Sequence, residues 1–228
     1  MRAVVFDLDQ TLIRGEVLDW ELWLACIDEA LGVPVPRDTD WSRFPVHTDH
    51  GLVESLSLAL RGRSFTDAER APFEARVLAR IDAALAEAPR VFAAIPGAHA
   101  VVGALAGRVS LATGNLHAVT VRKLRSSGLH TAAMPCSCSQ PGIDRTELVA
   151  RALRRVGWQP GDAATSFGDG VWDVVAADAL GIGFVGVAHS DPHEAVLRGA
   201  GARHVIRDYR DEAGVLELIE GAEPPARP

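Results

Sequence analysis

VVFDLDQTL, residues 4–12, decides the architecture. Residues 2–6 (RAVVF) are a short apolar run that ends in acids, the pattern of a buried strand. Asp7 follows at once, Asp9 comes after one intervening residue, and Thr11 lies two further on. Two carboxylates at the end of a buried strand repel each other and lose hydration, so the pair is costly unless a positive charge sits between them.

Downstream the chain alternates. Residues 97–106 read as a helix, 108–112 as a strand, and 116–127 as a helix ended by Gly128. A weak strand falls near 131–136, a helix spans 145–156, and a strand spans 163–167. A helix over 171–180, a strand over 182–187, a helix over 192–198 and a strand over 204–206 complete the series. Alternation of this kind predicts an α/β fold, a doubly wound and mainly parallel sheet covered on both faces. Such sheets bind ligands at the carboxyl ends of their strands.

Residues 16–91 break the rhythm. Trp20, Trp23, Leu24, Ile27 and Leu31 recur at helical spacing behind Asp19, a candidate N-cap. Thr66 and Glu69 form a capping box ahead of Phe73, Val77, Ile81 and Leu85. Pro72 predicts a kink or restart in that helix. The expected organisation is an α/β core of 1–15 and 92–228, with an all-helical insert over 16–91. The aromatic residues of the insert read mainly as its own core. The tail from Glu220 (EGAEPPARP) reads as disordered.

Composition bounds the rest. The chain has 228 residues and a formal net charge of −7, which argues against a nucleic-acid or anionic-membrane surface. No apolar run approaches the roughly 20 residues of a membrane span. The opening residues lack the shape of a signal peptide, so the expected address is the cytoplasm. Cys26, Cys136 and Cys138 are odd in number, which speaks against a disulfide framework. Cys136 and Cys138 are too close for half of a standard zinc site, and no second Cys/His pair completes one, so all three read as free structural thiols. Lys123 is the only lysine among 23 basic residues.

Two further segments deliver polar groups to the same sheet edge. In RVSLATGNL (108–116), Thr113 follows a strand, and Gly114 and Asn115 then open a helix. A hydroxyl and free backbone N–H groups at a helix start form an anion site. In TSFGDGVWDVVAADAL (165–180), Asp169 ends a strand and Asp173 lies one helical turn later. Asp169 can reach a metal at the strand ends, and Asp173 can orient it or a metal-bound water. A divalent cation such as Mg²⁺, which prefers oxygen ligands, suits these carboxylates.

FDLDQT (6–11), LATGN (111–115) and GDGVWD (168–173) resemble the first, second and fourth motifs of the haloacid dehalogenase superfamily of hydrolases. The helical insert, HTDHGLVESL (47–56) and IPGAHAVVGAL (95–105) are similar to its phosphoglycolate-phosphatase-like branch. The resemblance implies a Mg²⁺-dependent phosphatase acting on a small phosphorylated metabolite. Asp7 would be the nucleophile that forms an aspartyl-phosphate, and Asp9 the general acid and then base. Asp7, the backbone carbonyl of Asp9 and Asp169 would hold Mg²⁺. Thr113, Gly114 and Asn115 would hold the phosphoryl group, and Asp173 would support the metal shell. Gln10 stands where many members have Gly, which bears on the turn beyond the strand.

The third motif, a cation bridging nucleophile and phosphate, has several candidates. Arg145, in GIDRTEL (142–148), opens a helix and so returns to the active edge. Lys123 has the compositional case, but ten residues of helix beyond Thr113 place it roughly 13–15 Å away. Another Arg is the third possibility. His47 and His50 flank Asp49 in a cap loop, where Asp49 reads as a helix cap and the imidazoles as solvated. A sugar-phosphate mutase differs from a phosphatase only in cap chemistry and stays open as an alternative. A 2-haloacid dehalogenase has no use for Asp9, a phosphonatase needs a cap lysine that 16–91 lack, and a receiver domain is shorter and has no insert. A non-catalytic binding protein would be marked by loss of Asp7 or Asp9, and both are intact. The expected assembly is a monomer or homodimer.

Overall fold

The computed structural model describes residues 2–41, 44, 46–129 and 134–226. Strand β1 (Ala3–Phe6) leads through a tight loop to β2 (Ile13–Arg14). Helices α1 (Glu16–Leu31), α2 (Asp49–Arg61) and α3 (Asp67–Glu87) follow, and the chain returns through β3 (Ala93–Ala94). The series continues with α4 (Ala98–Ala104), β4 (Val109–Ala112), α5 (His117–Ser127), β5 (Cys136–Ser137) and α6 (Arg145–Arg154). It ends with β6 (Ala164–Gly168), α7 (Val171–Leu180), β7 (Gly183–Val187), α8 (Asp191–Gly199), β8 (His204–Ile206) and α9 (Glu212–Gly221).

The main sheet has six strands in the order β5-β4-β1-β6-β7-β8, all paired in parallel. The chain lays β4 and β5 on one side of β1, then crosses back to lay β6, β7 and β8 on the other. The order reverses between β1 and β6, so a crevice opens at their carboxyl ends. Asp7 and Asp169 sit at those two ends, which is why one sheet edge gathers the acids. The α/β doubly wound expectation holds.

Both faces of the sheet are covered, so its strands read as continuous apolar runs rather than alternating ones. Val4 and Phe6 face one core and Val5 the other. Phe6 stacks on Phe167 across the β1–β6 pair, with centroids 4.6 Å apart. The buried Tyr209 donates its hydroxyl to the Thr11 carbonyl at 2.8 Å, which ties the loop after β1 to the far end of the chain.

Between β2 and β3 the described residues form helices and no strand. Ile13 and Arg14 pair antiparallel with Ala94 and Ala93, so departing and returning segments meet in a two-stranded ribbon. Helix α1 starts at Glu16 behind Gly15, so Asp19 lies within the helix and is not its N-cap. Helix α3 carries the expected Thr66–Glu69 capping box and runs unbroken through Pro72, so no restart occurs. The tail is also not loose. Glu223 accepts the Phe184 N–H at 3.1 Å, Ala226 donates to Gly201 at 2.9 Å, and Pro225 is buried. A polar, Pro-rich composition hid these backbone contacts with the start of β7 and the turn after α8. Of the weak strand expected near 131–136 only Cys136 falls in β5, Met134 and Pro135 are not in a strand, and residues 131–133 lie outside the described residues.

Gln10 adopts φ 56°, the left-handed region that glycine occupies freely. Its N–H bonds the Ile13 carbonyl at 2.8 Å and closes the loop after β1. A non-glycine side chain there costs about 1–2 kcal/mol. The turn therefore keeps the glycine-type backbone despite the substitution.

Candidate active site

Asp7 continues the β1–β6 pairing, its N–H bonding the Phe167 carbonyl at 2.9 Å, so its side chain emerges where the strands end. It is almost fully buried. Arg145, the first residue of α6, is buried beside it. Its Nη2 donates to Asp7 Oδ1 at 2.6 Å, and its Nε donates to Asp173 Oδ1 at 2.7 Å. The cap of α6 places the guanidinium: Asp144 accepts the Glu147 N–H at 2.8 Å and starts the helix at the active edge. Arg145, one of the sequence's candidates for the bridging cation, therefore reaches the active edge beside Asp7.

Asp173 has two tasks. Its Oδ2 accepts the Gly170 N–H at 3.1 Å, which caps α7, while its Oδ1 binds Arg145. A Cβ on Gly168 would lie 2.3 Å from Asp173 Oδ2, so only glycine lets β6 end this close to the carboxylate. One oxygen each from Asp7, Asp169 and Asp173 fall within 4.8 Å of one another. Burial pushes the Asp7 carboxyl up to about 7, against the pull of Arg145, with Asp173 and Asp9 adding repulsion. Burial, followed by repulsion from Asp7, also raises Asp169 well above the usual carboxylate range. One guanidinium does not neutralise three carboxylates, so the donor set and its electrostatics fit a bound divalent cation.

Asp9 faces the other side of the crevice. Lys123 Nζ lies 3.0 Å from both of its carboxylate oxygens and 2.9 Å from Asn115 Oδ1. Asn115 Nδ2 donates to Asp9 Oδ2 at 2.5 Å and to Thr113 Oγ1 at 2.7 Å. The distance argument against Lys123 fails. Helix α5 begins only at His117, and Cα–Cβ bonds point back toward a helix N-terminus. A long side chain six residues into the helix therefore reaches the site. The two cations share the acids: Arg145 holds Asp7 and Asp173, Lys123 holds Asp9.

The insert closes over the loop that carries Thr113. A Cβ on Gly114 would lie 2.6 Å from the His47 carbonyl oxygen, so the two backbones touch. The Asp49 N–H bonds the Gly114 carbonyl, and Asp49 Oδ2 accepts the Leu116 N–H, each at 2.8 Å. Thr48, not Asp49, caps α2. His50 is buried rather than solvated, between Ser139 Oγ at 2.8 Å and Glu74 at 2.9 Å. His47 stacks on Trp172 with centroids 4.1 Å apart, and burial lowers its pKa.

A cavity of about 260 Å³ joins these groups, lined by Asp7, Asp9, Thr113, Asn115, Arg145 and Asp169 on the core side. Trp20, Trp23 and Trp41 form the opposite wall, Trp20 stacked on Trp23 at 5.4 Å and edge-on to Trp41 at 4.5 Å. The reading of the insert's aromatics mainly as core holds for the buried Phe65, Phe73 and Trp23, with Trp41 and Phe44 packed against them, while Trp20, Trp23 and Trp41 also line the pocket. Helical spacing shows that residues share a face but not whether that face meets the insert or the crevice. His193, which bonds the Asp169 carbonyl at 2.7 Å, left no signal in the sequence because it arrives from α8.

A crevice of opposed carboxylates and cations at the switch point of a doubly wound sheet is the ligand site of an α/β protein. Residues 1–181 match the family model of haloacid dehalogenase-like hydrolases, and the chain belongs to that family. A hydrolase from Pseudomonas syringae has the same fold at 20% identity and TM-score 0.72, over 98% of this chain and 100% of that one. A family IA, variant 3 hydrolase from Entamoeba histolytica aligns at 16% identity and TM-score 0.70, over 97% and 100%. A family hydrolase from Deinococcus radiodurans, solved with bound phosphate and sodium, aligns at 21% identity and TM-score 0.58, over 99% of each chain. No curated protein matches the sequence.

Proposed function

We propose that the protein is a Mg²⁺-dependent phosphatase that hydrolyses a small phosphomonoester through phosphorylation of Asp7. The observation that carries the reading is the buried Asp7 carboxylate, bonded to Arg145 at 2.6 Å, in one pocket with Asp9, Thr113 and Asn115. Asp7, the Asp9 carbonyl and Asp169 are the residues that would hold Mg²⁺. Bound there, the ion supplies the positive charge that lets an anionic nucleophile meet an anionic phosphoryl group.

Asp7 attacks phosphorus and the ester P–O bond breaks. Asp9 gives its proton to the leaving oxygen, then takes one from the water that attacks the phosphoryl-aspartate, freeing inorganic phosphate and Asp7. Thr113 and the backbone at Gly114 and Asn115 receive the phosphoryl oxygens. Arg145 bridges nucleophile and phosphoryl group, and Lys123 with Asn115 holds Asp9 in place. Residues 16–91 act as a cap over the core of 1–15 and 92–228, and their tryptophan wall meets the organic part of the substrate. The enzyme works in the cytoplasm as a monomer or homodimer, with no nucleic-acid or membrane partner.

Purified protein with Mg²⁺ is expected to hydrolyse p-nitrophenyl phosphate. Asp7→Asn is expected to lower turnover at least about a thousandfold, the scale of losing a nucleophile, with an unchanged circular dichroism spectrum. Full activity in EDTA, or in Asp7→Asn, overturns the proposal.

A further inference from the structure

Three side chains outside the acidic crevice lie together beneath its phosphate loop. Successive strand residues point to opposite faces, so Cys136 and Cys138, two apart at β5, turn the same way. They face His117, the first residue of α5. Cys136 Sγ and Cys138 Sγ are 3.6 Å apart, and each is 3.6 Å from His117 Nδ1. Both thiols are free.

These three spacings are those of one face of a zinc tetrahedron. Zn–S bonds of about 2.3 Å and Zn–N bonds of about 2.0–2.1 Å, at tetrahedral angles, set S···S near 3.8 Å and S···N near 3.6 Å. The face is open on one side: Cys138 is buried, Cys136 half-buried and His117 exposed, which leaves a fourth position to solvent. Two thiolates neutralise one divalent cation. Thiolate and imidazole donors select zinc over magnesium, so this site and the carboxylate crevice take different ions.

We propose that His117, Cys136 and Cys138 bind one zinc ion, completed by a solvent ligand, and that the ion pins the loop bearing Thr113 and Asn115. The same strand and helix already hold that loop. Thr113 N–H bonds the Ser137 carbonyl at 3.0 Å, and Ser139 N–H bonds the Asn115 carbonyl at 2.9 Å. His117 lies 19 residues before Cys136 and is delivered by the pairing of β4 with β5, so Cys-x-Cys spacing alone conceals the third ligand.

The test is a titration of the reduced, metal-free full-length protein with Co²⁺. One equivalent is expected to produce a sulfur-to-cobalt charge-transfer band and the visible bands of tetrahedral cobalt. Stoichiometric Zn²⁺ should abolish both, and a large excess of Mg²⁺ should leave them unchanged. Cys136→Ser should lose the charge-transfer band most strongly, and Asp7→Asn should retain it, which separates this site from the phosphatase reading. Absence of the charge-transfer band in the wild-type protein, or a band in Cys136→Ser or His117→Ala as intense as that of the wild type, overturns the proposal.

Discussion

Lys123 is the residue that holds Asp9, the proposed general acid and base. It is fully buried, and its ammonium group binds Asp9 and Asn115. A buried ammonium group is tolerable only with such partners. Removing one member of a fully buried pair costs about 3–5 kcal/mol. Asp9 keeps 34% of its side-chain surface, so the cost for Lys123→Met should be smaller, roughly 1–3 kcal/mol. Chemical denaturation checks this, and turnover of the same variant should fall because Asp9 and Asn115 both lose a partner. An unchanged midpoint and unchanged turnover would contradict the role. The acids and Arg145 are legible in sequence because each lies within three residues of a strand end or a helix start. Lys123 is not, because helical rise measures the backbone while the long side chain decides the reach.

At the scale of elements, the seam between α2 and the β4–α5 loop controls the crevice. Asp49 bonds that loop through its main chain and its side chain, and Gly114 permits the contact. Gly114→Ala would drive a methyl group against backbone atoms that cannot rotate away. Displacement of about 1 Å near a reacting centre costs on the order of a hundredfold in rate, so kcat/KM should fall by about that factor. Gly103→Ala in α4, which meets nothing within 4 Å, should leave it unchanged. Equal kinetics for the two variants would refute the seam. Apart from β5, the strands and helices between residues 97 and 206 are legible to within one or two residues, because alternating apolar runs and terminal glycines mark them. The paired β2–β3 ribbon is not, since two-residue strands carry no period. Helix α9 (Glu212–Gly221) is not marked in the sequence, because Gly214, Gly221 and the polar tail beyond blur its short apolar pattern.

For the whole molecule, the crevice couples folding to pH. Asp7 has its folded pKa raised to about 7 and Asp169 shifts the same way, both through burial first. Between the ordinary carboxylate range and pH 7 the folded metal-free protein therefore holds more protons than the unfolded chain. Stability contributed by these groups is present at the acid end of that window and is lost as pH rises through it. A cation that binds only the folded form reverses the loss. Melting temperature should thus fall from pH 5 to pH 8 in EDTA, and added Mg²⁺ should raise it more at pH 8 than at pH 5. An equal rise at both pH values would contradict the coupling.

The central claim is that the phosphoryl group passes through Asp7 on its way to water. Two in-line displacements each invert phosphorus, so a phosphorothioate monoester made chiral at phosphorus with one oxygen isotope and turned over in water of another should yield inorganic thiophosphate with retained configuration. Inverted configuration would mean that water attacks the ester directly and that Asp7 is not the nucleophile.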